Sequence, residues 1–321
     1  MASPNATFTE IVTTTLREHP NVIADNVSNH NSLYRRLKQK GQIQKIDGGY
    51  ELVESLDYAD NATYQRYAGF DALDIGASDV LTAAKYDWVQ AAINVVASGR
   101  ELRMNSGKNQ IVDLAKARLK NAMRTAANNM SVDLYSSGSL SNQMGGLSHV
   151  IQTNGQGTVG GIASATYTFW RNQFKEASGT NAVAKSNIKQ EMNALWLACV
   201  RGTDKPDLIV STHDFYAVYE EALQDLQRYA SADSATAGFQ SLKYKTADVI
   251  FDSNDNFSTT GERMYYINSD FLKLKVHRDA NWTQLDEKMS VNQDAVVIPL
   301  IFQGQLCCSN RSLQGILIDA S

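Results

Sequence analysis

Apolar side chains recur along this chain at two spacings, and the longest run at helical spacing predicts one long helix over about 109–136. Ile111, Leu114, Ala115, Leu119, Ala122, Met123, Ala126 and Met130 fall three or four residues apart, which places them on one helix face. Asn109 is available as its cap after Gly107, and Gly138 closes it. Such a helix would run roughly 40 Å, far beyond the mean of about 11–12 residues. Shorter helices are predicted around Phe8, Ile11, Val12 and Leu16, stopped by Pro20, and over 31–40, ended by Gly41. Another covers 186–200, with Ile188, Met192, Leu195, Trp196 and Cys199 on one face. A last one follows the buried strand Leu208, Ile209, Val210. It is capped by Ser211 or Thr212, carries Asp214 in its first turn, and runs to about Tyr229.

Alternation predicts the strands. Over 48–72, Tyr50, Leu52, Leu56 and Tyr58 alternate with polar residues, and Asp60-Asn61 marks a turn before Thr63, Tyr64, Arg66 and Tyr67. This reads as a long hairpin. A lone two-stranded ribbon is marginal in water, and no adjacent helix covers these aromatic residues, so the ribbon is expected to lie on a neighbouring subunit. A second extended region over 80–97 holds Trp88, Val89, Ile93, Val95 and Val96 and turns at Gly99. Later strands are predicted at 242–244, 248–251, 264–268, 272–277, 295–302, 305–310 and 315–318. No internal repeat is present.

Composition narrows the class. The chain has 321 residues, 43% hydrophobic and 20% charged, enough for one elaborate domain or two intimate ones. A formal charge of −4 argues against a dedicated nucleic-acid binder, while leaving room for a wall that encloses nucleic acid without gripping it. No run approaches the roughly 18 apolar residues of a membrane span, and no basic-then-apolar secretory signal is visible at the N-terminus. Cys199, Cys307 and Cys308 make no disulfide framework or zinc motif and are expected to be reduced, partly buried thiols in a cytoplasmic setting.

Charge is blocked along the sequence. Arg35, Arg36, Lys38, Lys40 and Lys45 precede Asp47, Glu51, Glu54, Asp57 and Asp60. Two readings fit: two solvated faces, or a basic arm on one subunit meeting an acidic loop on another. The polar face of the long helix (Asp113, Lys116, Arg118, Lys120, Arg124) is likewise a solvated face or one turned towards packaged nucleic acid.

Motifs for chemistry fail on context. Gly155, Gly157 and Gly160 match the spacing of a dinucleotide loop, with Glu176 about twenty residues on. The loop runs into Ile162, Thr166, Tyr167, Thr168 and Phe169, a poor helix start, and a tight-turn loop is the better reading. Gly107-Lys108 is followed by Asn109, not Ser or Thr, so no phosphate-cradling loop survives. His19, His30, His149, His213 and His277 are scattered without paired ligand spacing. A triad formed only by folding stays open, although His213 reads as a structural residue in the first turn after a strand. No catalytic residue, cofactor or metal site is expected.

The order of these segments resembles tailed-bacteriophage major capsid proteins of the Hong Kong 97-type fold. A polar arm is followed by IDGGYELVESLDY, then by ALDIGASDVLTAAKYDWVQAAINVVASGRELRMNSGKNQIVDL leading into the long helix. LYSSGS, MGGLSHVI, TVGGI, TYTFWR, PDLIVSTHDFYAVYEEAL and GQLCCSNRSLQGILI follow in order, so the resemblance spans about 31–318.

The resemblance implies an α+β capsid subunit. Its parts would be an N-terminal arm (1–45), an extended β-hairpin loop (46–78), a peripheral domain (79–184 and 276–321) holding the spine helix, and an axial domain (185–275). It implies self-assembly as hexamers and pentamers into an icosahedral shell in the bacterial host cytoplasm, enclosing double-stranded DNA by non-specific contact. A portal would occupy one vertex, a decorating protein is a further partner the resemblance allows, and no membrane is involved. The expected intersubunit clasp is Tyr50, Leu52, Glu54, Leu56, Tyr58, Tyr64 and Tyr67, with Arg35, Arg36, Lys38 and Lys40 as charge partners. Some family members cross-link through a lysine on the loop; here none lies between Lys45 and Lys85, so no such bond is expected. Only about thirty residues precede Asn31, so a separate scaffold protein is expected. An encapsulin-like nanocompartment shell is the alternative, and a soluble enzyme with an unrecognised site the distant one.

Overall fold

A computed structural model describes residues 32–104, 114–177, 182–227, 242–252, 262–286, 288–289 and 293–319. Helix α1 (Ser32–Gln39) buries Leu33 and Leu37 one turn apart and ends at Gly41, whose φ of 69° favours glycine. Strand β1 (Ile43–Ile46) leads to β2 (Leu52–Asp57), where buried and exposed residues strictly alternate. Strands β3 (Leu81–Tyr86) and β4 (Val89–Ser98) precede helix α2 (Gly99–Met104). The long helix α3 is described over Leu114–Tyr135. The expected cap and Ile111 lie outside the described residues, as do the side chains of Leu114, Ala115 and Leu119. Ala122, Ala126 and Met130 are buried as their spacing requires, together with Leu134 and Tyr135, but Met123 is 52% exposed. It lies one position beyond the buried Ala122, off the stripe centred on Ala122, Ala126 and Met130.

After α3 come α4 (Leu147–Val150), the short pair β5 (Thr158–Val159) and β6 (Ile162–Ala163), and β7 (Gln173–Ala177). Helix α5 (Ile188–Cys199) buries the five residues its spacing singled out. Strand β8 (Leu208–Ser211), helix α6 (His213–Gln227), β9 (Leu242–Tyr244), β10 (Ala247–Phe251) and β11 (Arg263–Ile267) follow. Last come β12 (Leu272–Gln284), β13 (Lys288–Met289), β14 (Ala295–Cys308) and β15 (Gly315–Asp319). Strand β14 is continuous where two strands were expected.

Two sheets organise the molecule. One runs β1-β12-β14-β13, with β4 along the other edge of β14, so that Phe302 lies opposite both Asn281 and Ala91. The other runs β7-β15-β11-β8-β10-β9. It is covered on both faces, which is why β8 is buried at every position rather than alternating. Leu208 and Val210 point into a core with α1, the end of α3 and α4, while Ile209 points into a second core under α5 and α6. This sheet draws β7 and β15 from outside the 185–275 segment expected to form one domain, and β12 crosses that boundary.

One expectation is corrected here. The return strand of the hairpin is β3, with Leu52 opposite Tyr86 and Asp57 opposite Leu81, and not the segment 63–67. Ala84 and Tyr86 supply the buried face that pairing needs, whereas every residue over 64–77 is exposed.

Candidate assembly surfaces

The base of the hairpin is held by its own chain. Leu52, Leu56, Ala84 and Tyr86 pack with Val159, Trp170 and Cys307 in a buried cluster. Tyr86 donates to the carbonyl of Cys308 at 2.8 Å, and the Trp170 indole donates to that of Val159 at 3.0 Å. The glycine-rich loop forms the β5–β6 turn against this base. Gly160 has a φ of 60° and lies so close that a Cβ there would meet Ala84, while its carbonyl accepts from the Lys85 amide at 2.9 Å. Ile162 opens a strand rather than a helix, so the dinucleotide spacing is a tight turn.

Glu54 is buried beneath the hairpin between Lys273, at 3.3 Å, and Lys275, whose ammonium also donates to the Val53 carbonyl at 3.0 Å. Leu52, Leu56 and Glu54 are therefore spent inside one subunit. The three were expected in an intersubunit clasp; the strictly alternating strand turns all of them towards the core of their own chain.

The basic helix is divided in the same way. Arg36 reaches Asp207 at 3.5 Å and Asp248 at 3.2 Å, and Lys40 reaches Asp207 at 3.2 Å. Asp207 also accepts from the amide and hydroxyl of Ser269 at 2.8 and 2.6 Å. Arg36 and Lys40 thus tie α1 to the six-stranded sheet of their own chain, with Lys40 still exposed at the surface. Arg35 and Lys38 point outward and are exposed. Of the acidic block, Glu51 meets Lys85 at 3.4 Å and Asp47 meets Arg278 at 3.0 Å.

The tip is different. Tyr64, Tyr67, Phe70, Leu73 and Ile75 are all exposed on the segment 58–80, and Tyr50, 94% exposed, precedes β2 at the other end of the hairpin. Tyr58 is half-buried, its ring 5.5 Å from that of Phe169. Asp57, Asp60, Asp71, Asp74 and Asp79 share the loop and are exposed too. Phe70, Leu73 and Ile75 were not singled out in sequence; their signal was an apolar residue every two or three positions among aspartates, with no partner face nearby.

A few titratable groups elsewhere are buried. Cys199, Cys307 and Cys308 are buried and free, with burial pushing each thiol up to about 12. The fully buried Arg311 donates to the carbonyls of Val150 and Trp170, to the Ser164 hydroxyl and to the Asn172 side chain, at 2.7–3.3 Å. Among the described residues, no helix is long and apolar enough to cross a membrane, and no three His, Cys, Asp or Glu side chains gather as a metal would need.

No family model matches the chain, and no curated protein matches its sequence. Solved structures do. The cyanophage A-1(L) capsid asymmetric unit superposes with a TM-score of 0.64 at 13% identity, over 97% of this chain and 99% of that one. The fold is that of a phage capsid subunit. The capsid of the native GTA particle gives a TM-score of 0.59 at 12% identity, covering 89% and 90% of the two chains. The capsid fold is shared by the holo-SrpI encapsulin complex of Synechococcus elongatus PCC 7942, with a TM-score of 0.57 at 9% identity over 97% and 95%.

Proposed function

We propose that this chain is the major shell subunit of a bacteriophage capsid, assembling as hexamers and pentamers into a closed icosahedral shell around double-stranded DNA. The observation that carries this reading is the tip over 58–80, whose apolar side chains have no core within their own subunit, on a chain with the capsid fold. A contiguous exposed apolar surface marks an interaction site, and closed symmetry supplies the same site on every copy. The clasp consists of Tyr50, Tyr58, Tyr64 and Tyr67, joined by Phe70, Leu73 and Ile75, with Arg35 and Lys38 as outward charge partners of the tip aspartates. A scaffold protein, a portal at one vertex and a decorating protein are the further partners this role calls for, and the virion is its place. The arm, loop, peripheral and axial divisions follow the same proposal, with β7 and β15 closing the axial sheet.

The likeness to the encapsulin complex supports a second reading, a shell around protein cargo. Particles recovered from cells distinguish the two. Nuclease-protected DNA inside supports the virion, protein cargo without DNA supports the nanocompartment, and absence of particles opposes both.

A further inference from the structure

We infer that the cavity between α3 and the five-stranded sheet is a binding pocket for an organic cation carried on a short carbon stem or ring. The cavity has a volume of about 270 Å³, and its walls include Ile93, Met130, Met144, Trp282, Phe302 and Asp133. It is well above the roughly 150 Å³ of an apolar cavity that takes a benzene ring.

Its chemistry is one-sided. Trp282 and Phe302 stack with ring centroids 5.2 Å apart and planes at 24°, presenting aromatic surface that attracts a cation. The thioethers of Met130 and Met144 adapt to a ligand's shape. Asp133 is the one carboxylate of the lining, and no Lys, Arg or His stands in that lining to neutralise it. Burial raises its carboxyl above the usual carboxylate range, against a hydrogen bond from Gln143. A cation in the pocket restores the missing counter-charge.

Backbone geometry points to the same spot. Trp282 has a φ of 54°, and it sits at a register shift of β12 between Asn281 and Thr283. A bulky residue in the left-handed region is strained, and such strain concentrates where a side chain must be held for a purpose. Here the bulge carries the indole onto Phe302. This pocket stands apart from the hairpin tip, and only the source of its cation rests on the shell reading.

The cation has two sources, a free small amine or a Lys or Arg side chain of a neighbouring copy. The test is calorimetric titration of the purified full-length chain with benzylammonium and with its neutral analogue benzyl alcohol. At pH 7 the cation is expected to bind about tenfold tighter or more, and to weaken as pH falls and Asp133 takes up its proton. Asp133→Asn is expected to erase the difference. Binding to both free subunits and assembled particles assigns the site to a free amine. Binding to free subunits alone assigns it to a neighbour's side chain. Equal affinity for the two probes, no saturable binding to free subunits, or an unchanged preference in Asp133→Asn overturns the inference.

Discussion

Glu54 and Lys275 face each other beneath the hairpin, with side chains 9% and 8% exposed, although they lie far apart in the sequence. Breaking a buried pair leaves a charge that water cannot reach. Glu54→Gln is therefore expected to destabilise the free subunit by about 3 kcal/mol, read by urea denaturation. Replacing both partners by Met should cost less than the single change. A loss under about 0.5 kcal/mol for Glu54→Gln would show that the pair does not hold the hairpin.

Arg36 and Lys38 lie on the same helix and should behave oppositely. Arg36→Glu places a carboxylate against Asp207 and Asp248, so hydrogen exchange over α1 should rise in the free subunit. Lys38→Glu should leave that exchange unchanged and weaken assembly, more so at low salt. Identical exchange patterns in the two variants would reject the division.

Replacing Tyr64, Tyr67 and Phe70 together by Ser should leave the melting of the free subunit within about 0.5 kcal/mol of the parent, because all three are exposed. Particle formation should fail. Normal particles from this variant, seen by electron microscopy, would remove the tip from the interface.

The helical parts of this architecture were legible because their signals are local. Ile188, Met192, Leu195, Trp196 and Cys199 declare the buried face of α5 through spacing alone, and His213 falls in the first turn after β8 as expected. The hairpin was misread because Asp60-Asn61 is a good turn signal and Tyr64 and Tyr67 mimic a returning strand. The true partner, Leu81–Tyr86, lies beyond a long exposed tip. Arg36 carries no local sign that its acceptors are Asp207 and Asp248, since only the fold brings them together. The five-residue face of α5 is a property of one segment; the ties of Arg36 join three.

His149 gives a pH dependence. Its imidazole is held below the ordinary value of 6.5, first by burial and then by the charge of Arg311. The folded state therefore binds that proton more weakly than the unfolded chain. Stability from this group is full above about pH 6.5 and falls as pH drops below it. His149→Gln should flatten the pH profile of melting in that window, and an unchanged slope would exclude the group.

Buried thiols with raised pKa values react slowly. In the native state Cys199, Cys307 and Cys308 should all resist iodoacetamide at pH 8, and all three should be labelled in urea, as read by mass spectrometry. Rapid native labelling of any of them would contradict the packing around β14 and α5.

The most direct measurement is electron microscopy of particles formed by the full-length chain, alone and with a co-expressed scaffold protein. Closed polyhedral shells built from hexamers and pentamers are the expected result, with the 58–80 tip of each subunit lying on a neighbour. A chain that stays a stable monomer or dimer under both conditions, or shells whose tips point free into solvent, would contradict the central claim.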